Sequence, residues 1–425
     1  MTPGQRDRAL SARQVALAHR TKPEPPPPST DGNPRRGRPA PQGRRGRHRA
    51  VTFTPPAGWE EAFAALPRAA FLPRVMWPHD QVTDTFATID RTSDPEGWRA
   101  AADADVPIVT QWDDGRHTGP MPGRDATSSS SKPSLVAAML ATLDAEPGMR
   151  VLEIGTGTGW TAALLAHRLG AGHVTSVEID PRVARAAGSA LRRAGLHTRL
   201  VVGDGALGAP GHAPFDRIVV TCGMRRVPSA WLRQLRPGGR LLMPWGTPFV
   251  LHRDGLVSLT SRPDGTAAGR FADLVSFMRM RSQRDRLPSY PRDLPLHDHE
   301  SAVWPPGGWA PFPFLAGLRL TDAAYAEQRH EDGRTVWLYD LAGAGWTAAV
   351  RRDGVAPGVV VRRAGRRPLW EEYTAAHSWW REAGEPGIER FGLTVRPDGS
   401  ATPWLDAEEQ TVGPLPSMSR AADRG

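Results

Sequence analysis

Between residues 149 and 245 the chain alternates short apolar runs with segments whose apolar positions recur at helical spacing. MRVLEI reads as a buried strand, Trp160 to Leu169 as a helix, and HVTSVEI (173–179) as a second strand. Pro181 to Ala194 reads as the next helix, with Asp180 at its N-cap and Pro181 at its first position. LHTRLVVGD and FDRIVVTCG supply a third and a fourth strand. Val227 to Leu235 is a third helix, and RPGGRLLMPWG leads into a fifth strand. Strands alternating with helices of this length predict an α/β fold, a parallel sheet with helices on both faces. Apolar runs around 249–259 and 274–280 are placed to complete that sheet.

The flanks differ. Residues 1–50 are rich in Pro, Arg and Gly, with too little apolar surface to offset the entropy of ordering, which predicts a disordered basic tail. From Phe53 to Pro78 the text is helical and then turn-rich. A polar Gly/Pro stretch follows, then the run TSSSSKPS (127–134) and a short apolar helix, Leu135 to Leu143. Residues 51–283 form the expected main domain. Residues 284–313 are proline-rich and read as a linker. Short strand-like runs and a helix near Leu369 to Arg381 predict a small C-terminal α+β domain over 314–410, and 411–425 read as a frayed tail. Eight of the fifteen tryptophans lie between Trp304 and Trp404. Aromatics at such spacing usually fill a core, which is the plain reading for Trp370, Trp379, Trp380 and Trp404.

Composition narrows the function. The 425 residues are 39% hydrophobic and 23% charged, as in a globular protein, and no apolar run approaches the ~20 residues of a membrane span. There is no apolar secretory segment at the N-terminus. The single cysteine, Cys222, excludes an internal disulfide and a cysteine-based zinc site. Together these point to the cytoplasm. The net charge of +9 comes from residues 1–50, which hold 12 basic and 3 acidic residues, so the remainder balances at 42 of each sign. Nearly all the basic residues are arginine, the lysines being Lys22 and Lys132, a bias that a GC-rich genome explains as well as a phosphate-binding surface does. Nucleic-acid binding is therefore not expected.

The chemistry gathers at Gly155-Thr156-Gly157-Thr158-Gly159, between the first strand and its helix. Glycines let the backbone bend tightly and approach a ligand, and the helix start presents N–H groups. Glu178, about twenty residues on, is placed to accept hydrogen bonds from ribose hydroxyls, with Ile179 beside it. Nicotinamide-binding folds use similar parts. The GxGxG spacing, Glu153 in the strand before the turn, Gly203-Asp204-Gly205 after the third strand and Pro237-Gly238-Gly239 before a late strand favour S-adenosylmethionine instead. On this reading Glu153 faces the cationic end of the donor, Asp204 and Gly205 read adenine, and Thr221 closes the site from the fourth strand.

Residues 60–280 resemble the protein-L-isoaspartate (D-aspartate) O-methyltransferase family. The matching text is LPRAAFLP, SSKPSLVAAML, VLEIGTGTGWTAALLA, VEID, GDG, APFDRIVVTCG and VPSAWLRQLRPGGRLLMPWG, in order. The resemblance implies a Rossmann-like class I methyltransferase sheet and a carboxyl O-methyltransferase yielding S-adenosylhomocysteine. It implies that Ser131, with Ser129 at a position usually held by threonine, positions the substrate carboxylate; the plain alternative is a solvated serine-rich loop. Lys132 departs from the family's small or amide residue and either attracts a carboxylate or points to water. Arg225 or Arg226, after the fourth strand, are further candidates for meeting a peptide. The family's repair enzymes end soon after the last strand, whereas this chain continues for about 140 residues. That extension resembles actinobacterial methyltransferases that accompany ribosomally made, modified peptides. This implies an Asp side chain in a modified, macrocyclic precursor peptide as substrate, an aspartimide as the later product, and the extension as a peptide-recognition module. The alternative is an isoaspartyl repair enzyme with an extra domain. Neither mechanism calls for a metal.

Overall fold

The structure is a computed structural model that describes residues 53–81, 83–285, 288, 294–353 and 358–414. The expected basic tail, residues 1–50, lies outside the described residues, as does most of the expected C-terminal tail. The chain divides into two compact units. One is centred on residues 72–133; the other joins 54–71 to everything from 134 onward.

The smaller unit contains β1 (Val75–Asp80), β2 (Thr85–Phe86), β3 (Ile89–Asp90), α1 (Pro95–Asp103), β4 (Ile108–Trp112) and β5 (Ala126–Ser130). β1 pairs antiparallel with β2, β3 and β4, and β4 pairs with β5. Asp94 caps α1, accepting from the Gly97 N–H at 2.9 Å, and Pro95 opens the helix. Trp77, Val109 and Trp112 form a small core, with Trp77 and Phe86 each edge-on to Trp112. The serine run, to which the sequence reading assigned no element, is a strand rather than the solvated loop that was the plain alternative. Ser128 and Ser130 are buried, while Ser129 lies on the opposite face and is only half-buried.

In the larger unit, a helix at Glu60–Ala65 precedes α2 (Pro133–Leu143), β6 (Val151–Ile154), α3 (Trp160–Leu169), β7 (Val174–Glu178), α4 (Pro181–Arg193), β8 (Arg199–Val202), β9 (Phe215–Val220), α5 (Ser229–Gln234), β10 (Leu235–Trp245), β11 (Asp254–Ser261) and β12 (Ala267–Val275). Strands run parallel in the order β8-β7-β6-β9-β10, and β11 and β12 add antiparallel. Every residue of β6 and β7 is buried, as helices on both faces require. Asp180 caps α4 through the N–H groups of Arg182 and Val183, at 2.8 and 3.3 Å. Ala184, Ala187, Ala190 and Leu191 form its buried stripe.

The chain then adds β13 (Leu296–Ser301), α6 (Pro311–Gly317), β14 (Ala323–His330), β15 (Gly333–Asp340), β16 (Trp346–Arg352), β17 (Val359–Ala364), α7 (Leu369–Glu382), β18 (Phe391–Val395) and β19 (Ala401–Leu405). Five of these strands make a second, antiparallel sheet in the order β13-β17-β16-β15-β14. Two differences from the sequence reading stand out. The stretch expected as a linker contains β13, an exposed edge strand whose pairing with β17 depends on backbone groups and leaves no apolar pattern. The region 314–410 does not keep its strands to itself, because β18 pairs with β12 and β19 with β18, carrying the main sheet to nine strands. One apolar cluster runs from Leu152 and Val220 through Phe249 and Phe312 to Trp370 and Tyr373. Trp370, Trp380 and Trp404 are buried within this architecture, and Trp379 is half-buried beneath the Arg319 guanidinium.

Candidate active site

The parallel strands end at a cluster of turns that gathers most of the residues singled out for the donor. Gly155, Gly157 and Gly159 have φ values of 97°, 53° and 85°, a region glycine enters without penalty. A Cβ on Gly155 would come within 2.6 Å of the Thr221 hydroxyl. That hydroxyl donates to the Gly155 carbonyl at 2.6 Å, with the Ile154 carbonyl at 3.1 Å, so β9 fixes the turn from below. A Cβ on Gly159 would crowd Ala187 of α4 at 3.1 Å. No side chain caps the start of α3, which leaves its first-turn N–H groups to a ligand or solvent.

The acids sit where the sequence placed them, and their partners explain their states. Glu178 accepts from the Gly157 N–H and the Asp180 N–H, each at 3.0 Å, tying the turn to the end of β7. Each oxygen keeps capacity for a further donor such as a ribose hydroxyl. Burial raises its pKa, opposed by those two N–H groups. Glu153 is fully buried, and burial pushes its carboxyl up to about 8. Its Oε2 accepts from Ser176 at 2.5 Å, and Ser176 in turn lies 2.6 Å from the Thr156 hydroxyl. Its Oε1 is buried with no hydrogen-bond partner in the protein. Ser176 was missed; its signal is a lone serine inside the apolar strand VTSVE. Asp204 caps the turn at 205–207 through the Ala206 N–H at 2.9 Å, and Trp231 donates to the Gly205 carbonyl at 2.8 Å. Ile179 is 41% exposed at the end of β7, an apolar face open to a flat ring.

The remaining candidates separate. Ser129, Ser131 and Lys132 belong to the smaller unit, at and just after the end of β5, all half-buried. Arg225, read from the sequence as a substrate contact, is instead committed to protein carboxylates. It bonds Asp285 at 2.7 Å and Oδ1 of the fully buried Asp254 at 3.1 Å, and Arg279 bonds both oxygens of Asp254, at 3.0 and 3.1 Å. A buried charge of that kind needs its partners, so Arg225 is not free for a peptide. Arg226 is exposed, its backbone held by Gln283.

A left-handed glycine turn, an unpartnered carboxyl oxygen beneath it, an acid at the next strand end and an open apolar residue beside that acid together fit an adenosyl-type donor. The sheet and its turns are those of a class I methyltransferase. Residues 73–283 match the model of the protein-L-isoaspartate (D-aspartate) O-methyltransferase family. The chain is similar to the protein-L-isoaspartate O-methyltransferase of Pyrococcus horikoshii, at 41% identity over 32% of this chain and 61% of the relative. It is similar to that of Anaeromyxobacter dehalogenans at 53% identity over 27% of this chain and 56% of the relative. The chain therefore spans about three-fifths or less of the length of these curated relatives. A solved protein-L-isoaspartate O-methyltransferase aligns over 83% of this chain and 95% of its own, with 22% identity and a TM-score of 0.47. Among the described residues, no helix is long and apolar enough to cross a membrane, and no group of three or more His, Cys, Asp or Glu is arranged to hold a metal ion.

Proposed function

We propose that this chain is an S-adenosylmethionine-dependent O-methyltransferase that esterifies an aspartate side-chain carboxylate in a ribosomally made, modified peptide. The observation that carries the donor is the left-handed Gly155–Gly159 turn, held by Thr221 and Glu178, within a segment that matches the carboxyl methyltransferase family. When bound, S-adenosylmethionine supplies a sulfonium methyl and leaves as S-adenosylhomocysteine. The glycine backbone lets the loop close on the donor. Glu178 takes the ribose hydroxyls, Asp204 and Gly205 take the adenine edge, and Ile179 takes its face. As the family resemblance implies, Ser131 and Ser129 orient the substrate carboxylate, and Lys132 and Arg226 are each a candidate cationic contact for a peptide.

An ionised carboxylate is already a nucleophile near neutral pH, so no base is needed. Its oxygen forms a bond to carbon as the carbon–sulfur bond breaks, and no proton moves. Placement is the enzyme's contribution, and in-line positioning of this kind is worth about 7–11 kcal/mol of barrier. The ester is then open to attack by the next backbone nitrogen, with loss of methanol and formation of an aspartimide. The extension from residue 284 supports a peptide substrate, because beyond the family segment it adds a further sheet with a cleft on it.

The second reading is isoaspartyl repair, favoured by the activity in the relatives' names. Mass spectrometry separates the two. The enzyme is incubated with S-adenosylmethionine and a ribosomally made, modified precursor peptide carrying an aspartate, with an isoaspartyl peptide in parallel. A methyl gain on the precursor, then loss of methanol to a species one water lighter than the start, supports peptide maturation. Methylation of the isoaspartyl peptide alone makes this a repair enzyme.

A further inference from the structure

A cleft of about 330 Å³ opens on the C-terminal sheet, between the turn Trp304–Gly307 and the side chains of Arg334, Arg351 and Asp353. Its cationic side has an unusual origin. In the strand register, Arg329 of β14 lies opposite Arg334 of β15, and Arg334 lies opposite Arg351 of β16. Directly opposed residues share a face, so three guanidinium side chains line one row across three neighbouring strands. At ~4.8 Å between strands the row spans roughly 10 Å.

Like charges directly opposite one another destabilise a sheet. Little in the protein offsets them. Glu327 Oε1 lies 3.5 Å from Arg334, but its Oε2 already accepts from the Gly308 N–H at 2.6 Å and the Tyr325 hydroxyl at 2.9 Å. Arg329 and Arg351 are exposed and form no ion pair among the described residues. Nor does the row reflect general basicity, because residues 51–425 balance at 42 charges of each sign. The opposite wall is apolar and rigid. Trp304 is half-buried with its ring 6.0 Å from that of Trp370, and Pro305 and Pro306 offer no N–H.

We infer that this cleft holds an acidic segment of the peptide substrate, separate from the carboxylate that is methylated; the inference rests on the peptide reading above. Guanidinium forks pair with carboxylates bidentately. Alternate side chains of an extended peptide stand ~6.7 Å apart, so two carboxylates flanking one residue fit within the row while apolar neighbours meet Trp304 and the prolines. The carboxylates of Glu327 and Asp353 beside the cleft disfavour a continuous polyanion such as nucleic acid.

The test is fluorescence anisotropy on the full chain with a labelled eight-residue peptide carrying Glu at its third and fifth positions, against its Gln counterpart. The acidic peptide binds at least tenfold tighter than the Gln peptide, and the preference shrinks as salt is raised. Arg351→Gln weakens the acidic peptide at least fivefold, and Arg351→Glu weakens it further. Both variants keep wild-type affinity for S-adenosylhomocysteine and melt at or above the wild-type temperature, because repulsion in the row is relieved. A merely structural arginine would show the reverse, lowered melting with unchanged binding. Equal binding of the Glu and Gln peptides, unaltered binding by Arg351→Gln, or preferred binding of single-stranded DNA overturns the inference. Because S-adenosylhomocysteine affinity is read separately, failure of the cleft and failure of the methyltransferase reading give different results.

Discussion

Replacing Gly155 by Ala puts the donor-site reading to its most direct trial. The position has φ = 97°, and left-handed backbone of this kind costs a residue with a Cβ roughly 1–2 kcal/mol. The new methyl would also sit 2.6 Å from the Thr221 hydroxyl. That hydroxyl must leave the Gly155 and Ile154 carbonyls, and losing such a hydrogen bond costs about 0.5–1.5 kcal/mol. The combined penalty is about 1.5–3.5 kcal/mol on the turn that closes around the donor, or roughly 10- to 400-fold in affinity. Thr221→Ala removes the clashing oxygen, and the Thr221 Cβ already stands 3.8 Å from the added methyl, an ordinary contact. On the Thr221→Ala background, which has already lost those hydrogen bonds, adding Gly155→Ala therefore costs only the φ penalty, a further defect of roughly 5- to 30-fold. Isothermal titration with S-adenosylhomocysteine on both single variants and the double gives the cycle. A Gly155→Ala variant that binds within threefold of wild type shows that the left-handed turn is not what holds the donor. Strict additivity in the double variant shows that Thr221 is not what the methyl meets.

Two further outcomes follow from the same geometry. Glu153 keeps its proton to about pH 8 when folded and loses it near pH 4.5 when unfolded. The native state then binds more protons across that window, so stability falls as pH rises from about 4.5 to about 8, by up to ~1.4 kcal/mol per unit. Urea midpoints of the donor-free protein from pH 4.5 to 9 should show this slope relative to Glu153→Gln, and parallel profiles for the two proteins would refute the assignment. Ser131→Ala should slow methylation at least tenfold with S-adenosylhomocysteine affinity unchanged; an unaltered rate removes Ser131 from the chemistry.

The parts of the fold legible in the sequence are those whose burial is uniform. β6 and β7 are covered on both faces, so VLEI and VTSVE stand out as short runs rich in aliphatic and β-branched residues, and Asp180-Pro181 marks its helix by capping chemistry. The small unit was not legible because its strands are short and half-exposed. TSSSS carries no apolar alternation, and it is a strand because β4 supplies its hydrogen-bond partners. β13 is hidden for the same reason. Arg225 shows a different limit. A basic residue after a strand suggests a ligand contact, yet its partners Asp254 and Asp285 lie 29 and 60 positions away, and nothing local announces them. Ser176 marks the converse case, a residue that went unread although a serine within a strand next to the glycine turn was the available sign of its buried carboxyl partner.

The pairing of β18 with β12 changes what the C-terminal extension can be. A module on a linker would leave the edge of β12 open, but here Ala267 to Arg270 are paired with Gly392 to Val395. Gly392 lies beneath the Trp404 ring, so close that a Cβ there would overlap it, which is how a glycine in a strand is shielded from water. On the inner side, Phe271 of β12 meets Phe314 of α6 edge-on at 5.4 Å, and Phe249 stacks near Tyr325 and Tyr373 at 5.7 and 5.8 Å. The apolar faces of the donor-binding sheet and of the second sheet are thus one core. An arginine-lined cleft built on such a core is fixed relative to the glycine turn and does not swing on a tether. Under the peptide proposal, the cleft would then select geometrically as well as electrostatically: a substrate anchored there would present its reacting carboxylate at a set reach, without the ordering cost that a flexible recognition domain would add.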